Sequence, residues 1–315
     1  MDKLLIVGAD TMLGANLALA LRNRWQVVLL GGDETPMLDG CLSSVCDLSD
    51  CRDTSYRVLV ESPRAIVHCS RLATSGWDML TANEPIDTQE LIQQALSLAS
   101  AAEQAGCPLT VLTTDAIFSG PRMFHCEPAP ATANHSMAEA AKTFERAMAK
   151  TPALIVRTHA YGWSPVGAPQ GFAETAWENL NGSIGCPVDA QNYCTPILAT
   201  DLAPLVCKAI ELNLRGVYHL TGAERTNQYR FAAEMAVACG LTGRQVLLEP
   251  PKRRTSNRPF MDETSLNTGM ARRDLRMPLP MLREGLARFA DQANNGFRDT
   301  LRSAYRAVKG HQHAA

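Results

Sequence analysis

No tyrosine occurs between Tyr56 and Tyr161, and aromatic residues make up only 6% of the 315 residues. No apolar run approaches the ~20 residues that a membrane helix requires. Lys and Arg number 30 against 32 Asp and Glu, so there is no cationic excess to hold a nucleic-acid backbone. The longest cationic cluster, Lys252-Arg253-Arg254, sits in a Pro-rich loop and reads as solvated surface. The spacing C-x-x-C is missing although there are 10 cysteines. Cys41, Cys46 and Cys51 are evenly spaced, but no histidine stands near them to complete a metal site, and they read as reduced thiols. The chain opens on a strand-like run, with nothing that reads as a signal peptide. A reducing, cytoplasmic setting is expected, without membrane or nucleic-acid partners.

What is present is alternation. Short apolar runs over 4–7, 26–30, 65–69, 109–113 and 153–157 read as strands, with helical patterns such as 91–105 and 137–148 between them. Strands alternating with helices argue for an α/β fold with a doubly wound parallel sheet. Its ligand crevice lies beyond the C-terminal ends of the strands. Near residue 160 the texture changes, with Gly162, Pro165, Gly167, Pro169 and Gly171 close together. Beyond them come a helix over 200–213, a strand over 216–220, a helix over 228–239, a Pro- and Arg-rich loop over 249–259 and a helix over 279–294.

Residues 8–14, GADTMLG, stand between the first strand and the first helix, where a Rossmann fold places its Gly-rich turn. Gly8 permits the turn and Gly14 lets the helix pack against the strand. The helix start at Thr11, Met12 and Leu13 then offers free N–H groups and a partial positive charge to a pyrophosphate. The middle glycine, which lets the backbone approach the phosphates, is Thr11 instead. Asp10 adds a charge that caps the helix in one orientation and repels phosphate in the other. Weakened binding of NADP or NAD is expected. After the second strand, Asp33 reads either as a ribose ligand favouring NAD or as a turn residue. Asp47 and Leu48 stand where an adenine would lie, with Ser49 or Asp50 as a helix cap in the alternative. His68, Cys69 and Ser70 end the strand over 65–69, along the expected cofactor path.

Several segments together resemble the dTDP-4-dehydrorhamnose reductases, which are extended short-chain dehydrogenases/reductases. VLTTDAIFSG (111–120) is similar to their STDYVFDG segment, and LIVRT (154–158) with Tyr161-Gly162 to the next strand and loop. TPILATDLA (195–203), GVYHLTG (216–222) and Arg258-Pro259 with Ser265-Leu266-Asn267-Thr268 follow in the family's order, so the resemblance runs over about 3–290. It implies a Rossmann-type dinucleotide domain over 1–160, a sugar-nucleotide substrate lobe over 161–300 with segments returning to the sheet, and a tail over 301–315. It implies reduction of a 4-keto nucleotide sugar with NAD(P)H, in which a Tyr hydroxyl protonates the nascent alkoxide. It also implies Thr114 as holder of the carbonyl oxygen, with a strand-end threonine as the alternative. Lys142 is implied as the ribose-binding lysine, with a solvated helix lysine as the alternative, and Arg258 as a substrate contact.

The family's Y-x-x-x-K pair should lie on the helix near 133–148. Lys142 puts Ala138 in the Tyr position; matching Glu145 to the family's later Glu puts Met137 there and Ala141 in the Lys position. Neither register supplies a tyrosine. His135 or Ser136 could donate the proton instead, and each also reads as part of a helix N-terminal turn. Tyr161 resembles a substrate-lobe tyrosine, and Ala116 replaces an aromatic. Two functions stay open: a reductase with an unidentified proton donor, and a catalytically inactive relative that binds or regulates. The second is similar in kind to the regulatory β subunit of methionine adenosyltransferase. The expected partners are a nucleotide sugar and either a second copy or another protein.

Overall fold

The computed structural model describes residues 1–303 except 33–34, 80–85, 183–184, 242–245 and 249–262. Asp33, Arg258, the 249–259 loop and most of the tail therefore lie outside the described residues. The first part of the chain runs β1 (Lys3–Val7), α1 (Met12–Leu21), β2 (Gln26–Gly31), β3 (Leu42–Val45), α2 (Cys51–Glu61) and β4 (Ala65–Cys69). It continues through α3 (Gly76–Met79), α4 (Thr88–Ala105), β5 (Leu109–Thr114), α5 (Ser136–Met148) and β6 (Leu154–Thr158). The remainder comprises β7 (Ala160–Tyr161), α6 (Phe172–Asn181), β8 (Cys186–Val188), β9 (Tyr193–Cys194), β10 (Ile197–Leu198), α7 (Ala199–Glu211) and β11 (Gly216–His219). Then come β12 (Thr226–Asn227), α8 (Gln228–Ala238), β13 (Val246–Leu248), α9 (Gly269–Leu275) and α10 (Leu282–Asn294).

Seven strands form one sheet in the order β11-β6-β5-β4-β1-β2-β3, every neighbouring pair parallel. The order reverses between β1 and β4, which sets the crevice of a doubly wound sheet at their C-terminal ends. Alternation along β1 feeds two cores. Leu4 and Ile6 pack on the side of α1 and α7, and Leu5 and Val7 on the side of α2, α4 and α5. Buried on both faces, the central strands read as continuous apolar runs. The edge strand β3 escaped the sequence reading because Leu42-Ser43-Ser44-Val45 buries only Ser44. β11, late in the chain, pairs with β6, Tyr218 opposite Val156. Helix α4 starts a turn before the apolar pattern does, because Asp87 accepts the N–H groups of Gln89 and Glu90 and caps a polar first turn.

One buried ion pair fastens α5 to the sheet. The Arg157 guanidinium binds the Glu145 carboxylate through Nε at 3.1 Å and Nη2 at 2.7 Å. Thr113 donates to the same carboxylate at 2.8 Å, and the Arg157 Nη1 donates to the Glu127 carbonyl at 3.0 Å. Removing one partner of such a pair strands a buried charge, whereas replacing both by apolar groups does not. Glu145→Ala is expected to destabilise the protein by roughly 3–5 kcal/mol. The double variant Glu145→Leu/Arg157→Met should recover most of that loss. Denaturant unfolding of the two variants beside the wild type measures both values.

Candidate functional site

The turn at the start of α1 is built as a Gly-rich cradle with one alteration. Gly8 has φ +85°, and a Cβ there would lie 1.9 Å from the Cys69 carbonyl oxygen across the switch point. A Cβ on Gly14 would lie 2.0 Å from the Gly8 carbonyl oxygen. Both positions therefore exclude any other residue. Thr11 is extended (φ −87°, ψ 156°), a conformation that suits a side chain. Its hydroxyl donates to the Gly8 carbonyl at 2.7 Å and accepts the Gly14 N–H at 3.0 Å. Thr11, and not Asp10, is the helix cap, and Asp10 is exposed. The N–H groups of Met12 and Leu13 remain in the first helical turn, without intrahelical acceptors. Asn16, fully buried, donates to the Met12 and Trp163 carbonyls at 2.7 Å each and ties α1 to the segment after β7.

The other residues read along the cofactor path divide. Asp47 is exposed, its carboxylate accepting the Ser49 N–H at 2.9 Å, while Asp50 caps α2 by accepting the Arg52 N–H at 2.8 Å. Leu48 is half-buried. His68, Cys69 and Ser70 are all buried at the end of β4. Ser70 accepts the Leu72 N–H at 3.2 Å and starts a short turn. Burial raises the Cys69 thiol far above its usual range and draws His68 down from 6.5 to about 4, so its imidazole is neutral. The His68 ring stands 6.1 Å from that of Phe144 on α5, and its Nδ1 has no hydrogen-bond partner.

The positions expected to carry chemistry have their polar atoms engaged elsewhere or are apolar. Thr114 is fully buried at the end of β5 and accepts the Ala116 N–H at 3.0 Å. The Lys142 ammonium donates to the Ala133 carbonyl and to Glu139 at 2.8 Å, which anchors the segment leading into α5. Met137 packs against Met79 and Ala116, and Ala141 against Ile117, Phe118 and Leu266. Ala138 is also fully buried. His135 caps α5: Nδ1 accepts the Ala138 N–H at 3.2 Å, and Nε2 lies 3.2 Å from the Ala116 carbonyl. Both His135 nitrogens are thus engaged, and Ser136 is exposed on the first turn. Tyr161 is buried edge-on against Phe231 and Phe289, and burial raises its phenol well above the usual range.

The sequence reading quoted Asp115 only as part of a motif and did not single out His159. Both are fully buried where β5 and β6 end. The Asp115 carboxylate meets His159 Nδ1 at 2.7 Å and accepts the Gly76 N–H at 3.0 Å and the Thr264 hydroxyl. The Trp77 ring packs edge-on to that of His159, centroids 4.8 Å apart. A buried acid next to a strand end is the signal that was available in VLTTDA. His159 carried no pattern. Among the described residues, no three His, Cys, Asp or Glu side chains are grouped to hold a metal ion, and no helix is long and apolar enough to cross a membrane.

The family model of the RmlD substrate binding domain matches residues 2–295. No curated protein matches the sequence. The chain is similar in structure to the dTDP-4-dehydrorhamnose reductase of Bacillus anthracis, solved in complex with NADP. That protein is 20% identical, with TM-score 0.73 over 92% of this chain and 98% of its own. A dTDP-4-dehydrorhamnose reductase of Clostridium acetobutylicum is 19% identical, with TM-score 0.70 over 92% of this chain and 99% of its own. The UDP-glucose 4-epimerase of Thermotoga maritima, solved with UDP-glucose, is 14% identical, with TM-score 0.74 over 94% of this chain and 99% of its own. At these identities the structural likeness is one of fold.

Two expectations follow from this geometry. Thr11→Ala removes a helix cap and should cost about 1 kcal/mol, whereas Thr11→Gly should cost only a few tenths. Thermal unfolding of the two variants tests the order. His68 stays neutral in the folded protein down to about pH 4, while its ordinary value is 6.5. Between these values the unfolded chain binds more protons, so stability is complete above the upper one and falls as the pH drops through the window. At pH 5 the share lost through His68 is roughly 2 kcal/mol. Unfolding at pH 7 and pH 5 should show a smaller loss for His68→Gln than for the wild type.

Proposed function

We propose, for a chain that belongs to the RmlD substrate binding domain family, that its crevice binds a nucleotide sugar and NAD(P). The protein acts by that binding and not by Tyr-dependent reduction of a 4-keto group. The observation that carries this reading is the pair Met137 and Ala141. In the register that matches Glu145, fastened to Arg157 on β6, to the family's later Glu, these two stand where the acid and its lysine belong. A sulfur and a methyl group can neither donate a proton nor hold a ribose. Losing the acid alone costs about 10²–10⁴-fold in rate. In the other register Lys142 takes the lysine position and Ala138 that of the acid, so no phenol stands there either, and the Thr114 hydroxyl and the Lys142 ammonium group are engaged with the chain itself.

Residues 1–160 form the dinucleotide half and 161–300 the sugar-nucleotide half in this reading. In its reduced form NAD(P) would supply a hydride when bound. The residues of the turn fit its pyrophosphate in part: Gly8 and Gly14 keep the turn and the helix packing, and the Met12 and Leu13 N–H groups lie in the first helical turn without intrahelical acceptors. The Thr11 hydroxyl competes for the Gly14 N–H, so the affinity is lower than that of a three-glycine cradle. The setting is a reducing cytoplasm, and a second copy or another protein receives the effect of ligand binding.

The test pairs binding with turnover. The four tryptophans Trp25, Trp77, Trp163 and Trp177 report titrations with NADPH and with a dTDP-4-keto-6-deoxy sugar, and NADPH oxidation is followed beside a Tyr-containing reductase. Saturable binding is expected, with oxidation at least ~10²-fold slower than in that reductase. Thr11→Gly should tighten NADPH binding. Oxidation at a rate comparable to that reductase overturns the reading.

A further inference from the structure

Helix α2 is apolar on two opposite sides. Thr54 and Val58 are fully buried, Val58 in the core that α4 also faces. Tyr56, Leu59 and Val60 stand at i, i+3 and i+4 on the other side and are 62%, 51% and 56% exposed. A helix with apolar residues all round is ordinarily one that is covered all round. The strand beside it has the same character. β3 is the last strand of the sheet and pairs, among the described residues, only with β2. Exposed sheet edges are ordinarily blunted by charges or proline. Leu42-Ser43-Ser44-Val45 holds neither, and Leu42 and Val45 are each 52% exposed. The two elements form one surface. The Asp47 N–H, just past β3, donates to Asp53 at 2.8 Å, and the Ser44 hydroxyl hydrogen-bonds Glu61 at the other end of α2.

We propose that this edge docks a second copy of the chain, β3 against β3 and α2 against α2 across a twofold axis. Three observations favour a copy. The outward N–H and C=O groups of an edge strand are satisfied by another strand, and a twofold axis at the edge brings β3 to its own counterpart antiparallel, so that the seven-stranded sheet continues into the partner. The charges of α2 balance, Arg52 and Arg57 against Asp53 and Glu61, so two like surfaces meet without net repulsion and a polyanion finds no cationic surface to grip. The size also suits. Of residues 37–62 only Leu38, Ser44, Cys46, Thr54 and Val58 are buried, and the other 21 compare with the about 20–30 that one side of a stable interface uses. The edge lies two strands away from the switch point between β1 and β4, and the proposal does not depend on what the crevice binds.

The experiment is sedimentation equilibrium of the wild type, Val45→Lys and the double variant Tyr56→Glu/Leu59→Glu, with amide hydrogen exchange of the wild type over a concentration series. The three substituted side chains are exposed, so both variants should keep the wild-type circular dichroism spectrum. The wild type should dimerise, with exchange over 42–45 and 56–60 slowing as the dimer fills. Tyr56→Glu/Leu59→Glu should weaken association at least ~30-fold, the effect of losing one strong anchor. Val45→Lys, which brings two like charges to the axis, should weaken it at least ~10-fold. A wild type that stays monomeric over the whole series overturns the proposal. A dimer that neither variant weakens, or one whose exchange slows only outside these two stretches, has its interface elsewhere and overturns it too. No ligand enters the readout, so each of these outcomes leaves the nucleotide-sugar reading where it stood.

Discussion

The Asp115 carboxylate is the point on which the rest of the molecule turns. It is buried at the end of β5 and meets one donor from each of three other places: the Gly76 backbone at the start of α3, the His159 ring after β6, and the Thr264 hydroxyl from the segment ahead of α9. Taking a carboxylate out of water is costly unless it is paired and hydrogen-bonded, and here the donors come from segments far apart in sequence. The same bonds that satisfy the charge therefore hold α3 and the segments after β6 and ahead of α9 at the end of β5. They also hold the His159 ring, so its orientation is a by-product of how these segments are joined.

A second buried carboxylate, Glu145, does a comparable job on the opposite face of the sheet. Through Arg157 and Thr113 it fixes which residues of α5 look toward the ends of β4 and β5. In the reductases that this chain resembles, such a helix delivers a hydroxyl and an ammonium group. Here the same rigid delivery presents a methionine and an alanine, which pack against Met79, Ala116, Ile117 and Phe118. In the proposed reading the scaffold is kept in kind while the acid and the lysine it would present are not. Fold and reaction are separable in that sense, since function resides in a few side chains placed by the fold.

The central strands were legible in the sequence because burial on both faces leaves long apolar runs, as in Leu4-Leu5-Ile6-Val7. The edge strand over Leu42–Val45 was not, since a strand with one neighbour and a wet face carries no such run. The absence of the tyrosine could be seen from the sequence alone, since none stands between Tyr56 and Tyr161. The fate of Lys142 could not, because whether an ammonium group reaches a ribose or a backbone carbonyl depends on a loop, near Ala133, whose path the local sequence does not dictate. Asp10 and Thr11 are equally good caps on propensity, and only the turn geometry decides for Thr11. His159 was invisible for a related reason: its partners are Asp115 and the Trp77 ring, and no spacing along the chain announces them.

The three positions of the GADTMLG turn differ in what each glycine is for. At 8 and 14 a Cβ would run into a backbone carbonyl within about 2 Å, so substitution there breaks the packing of β1, β4 and α1 whatever the protein binds. At 11 the backbone is extended and tolerates any side chain, so a glycine there is demanded only by a phosphate. When selection for the cofactor relaxes, drift is free at one of the three sites and forbidden at the other two. The outer glycines of a Rossmann turn are then a record of ancestry and architecture, and the middle residue alone is a record of current use.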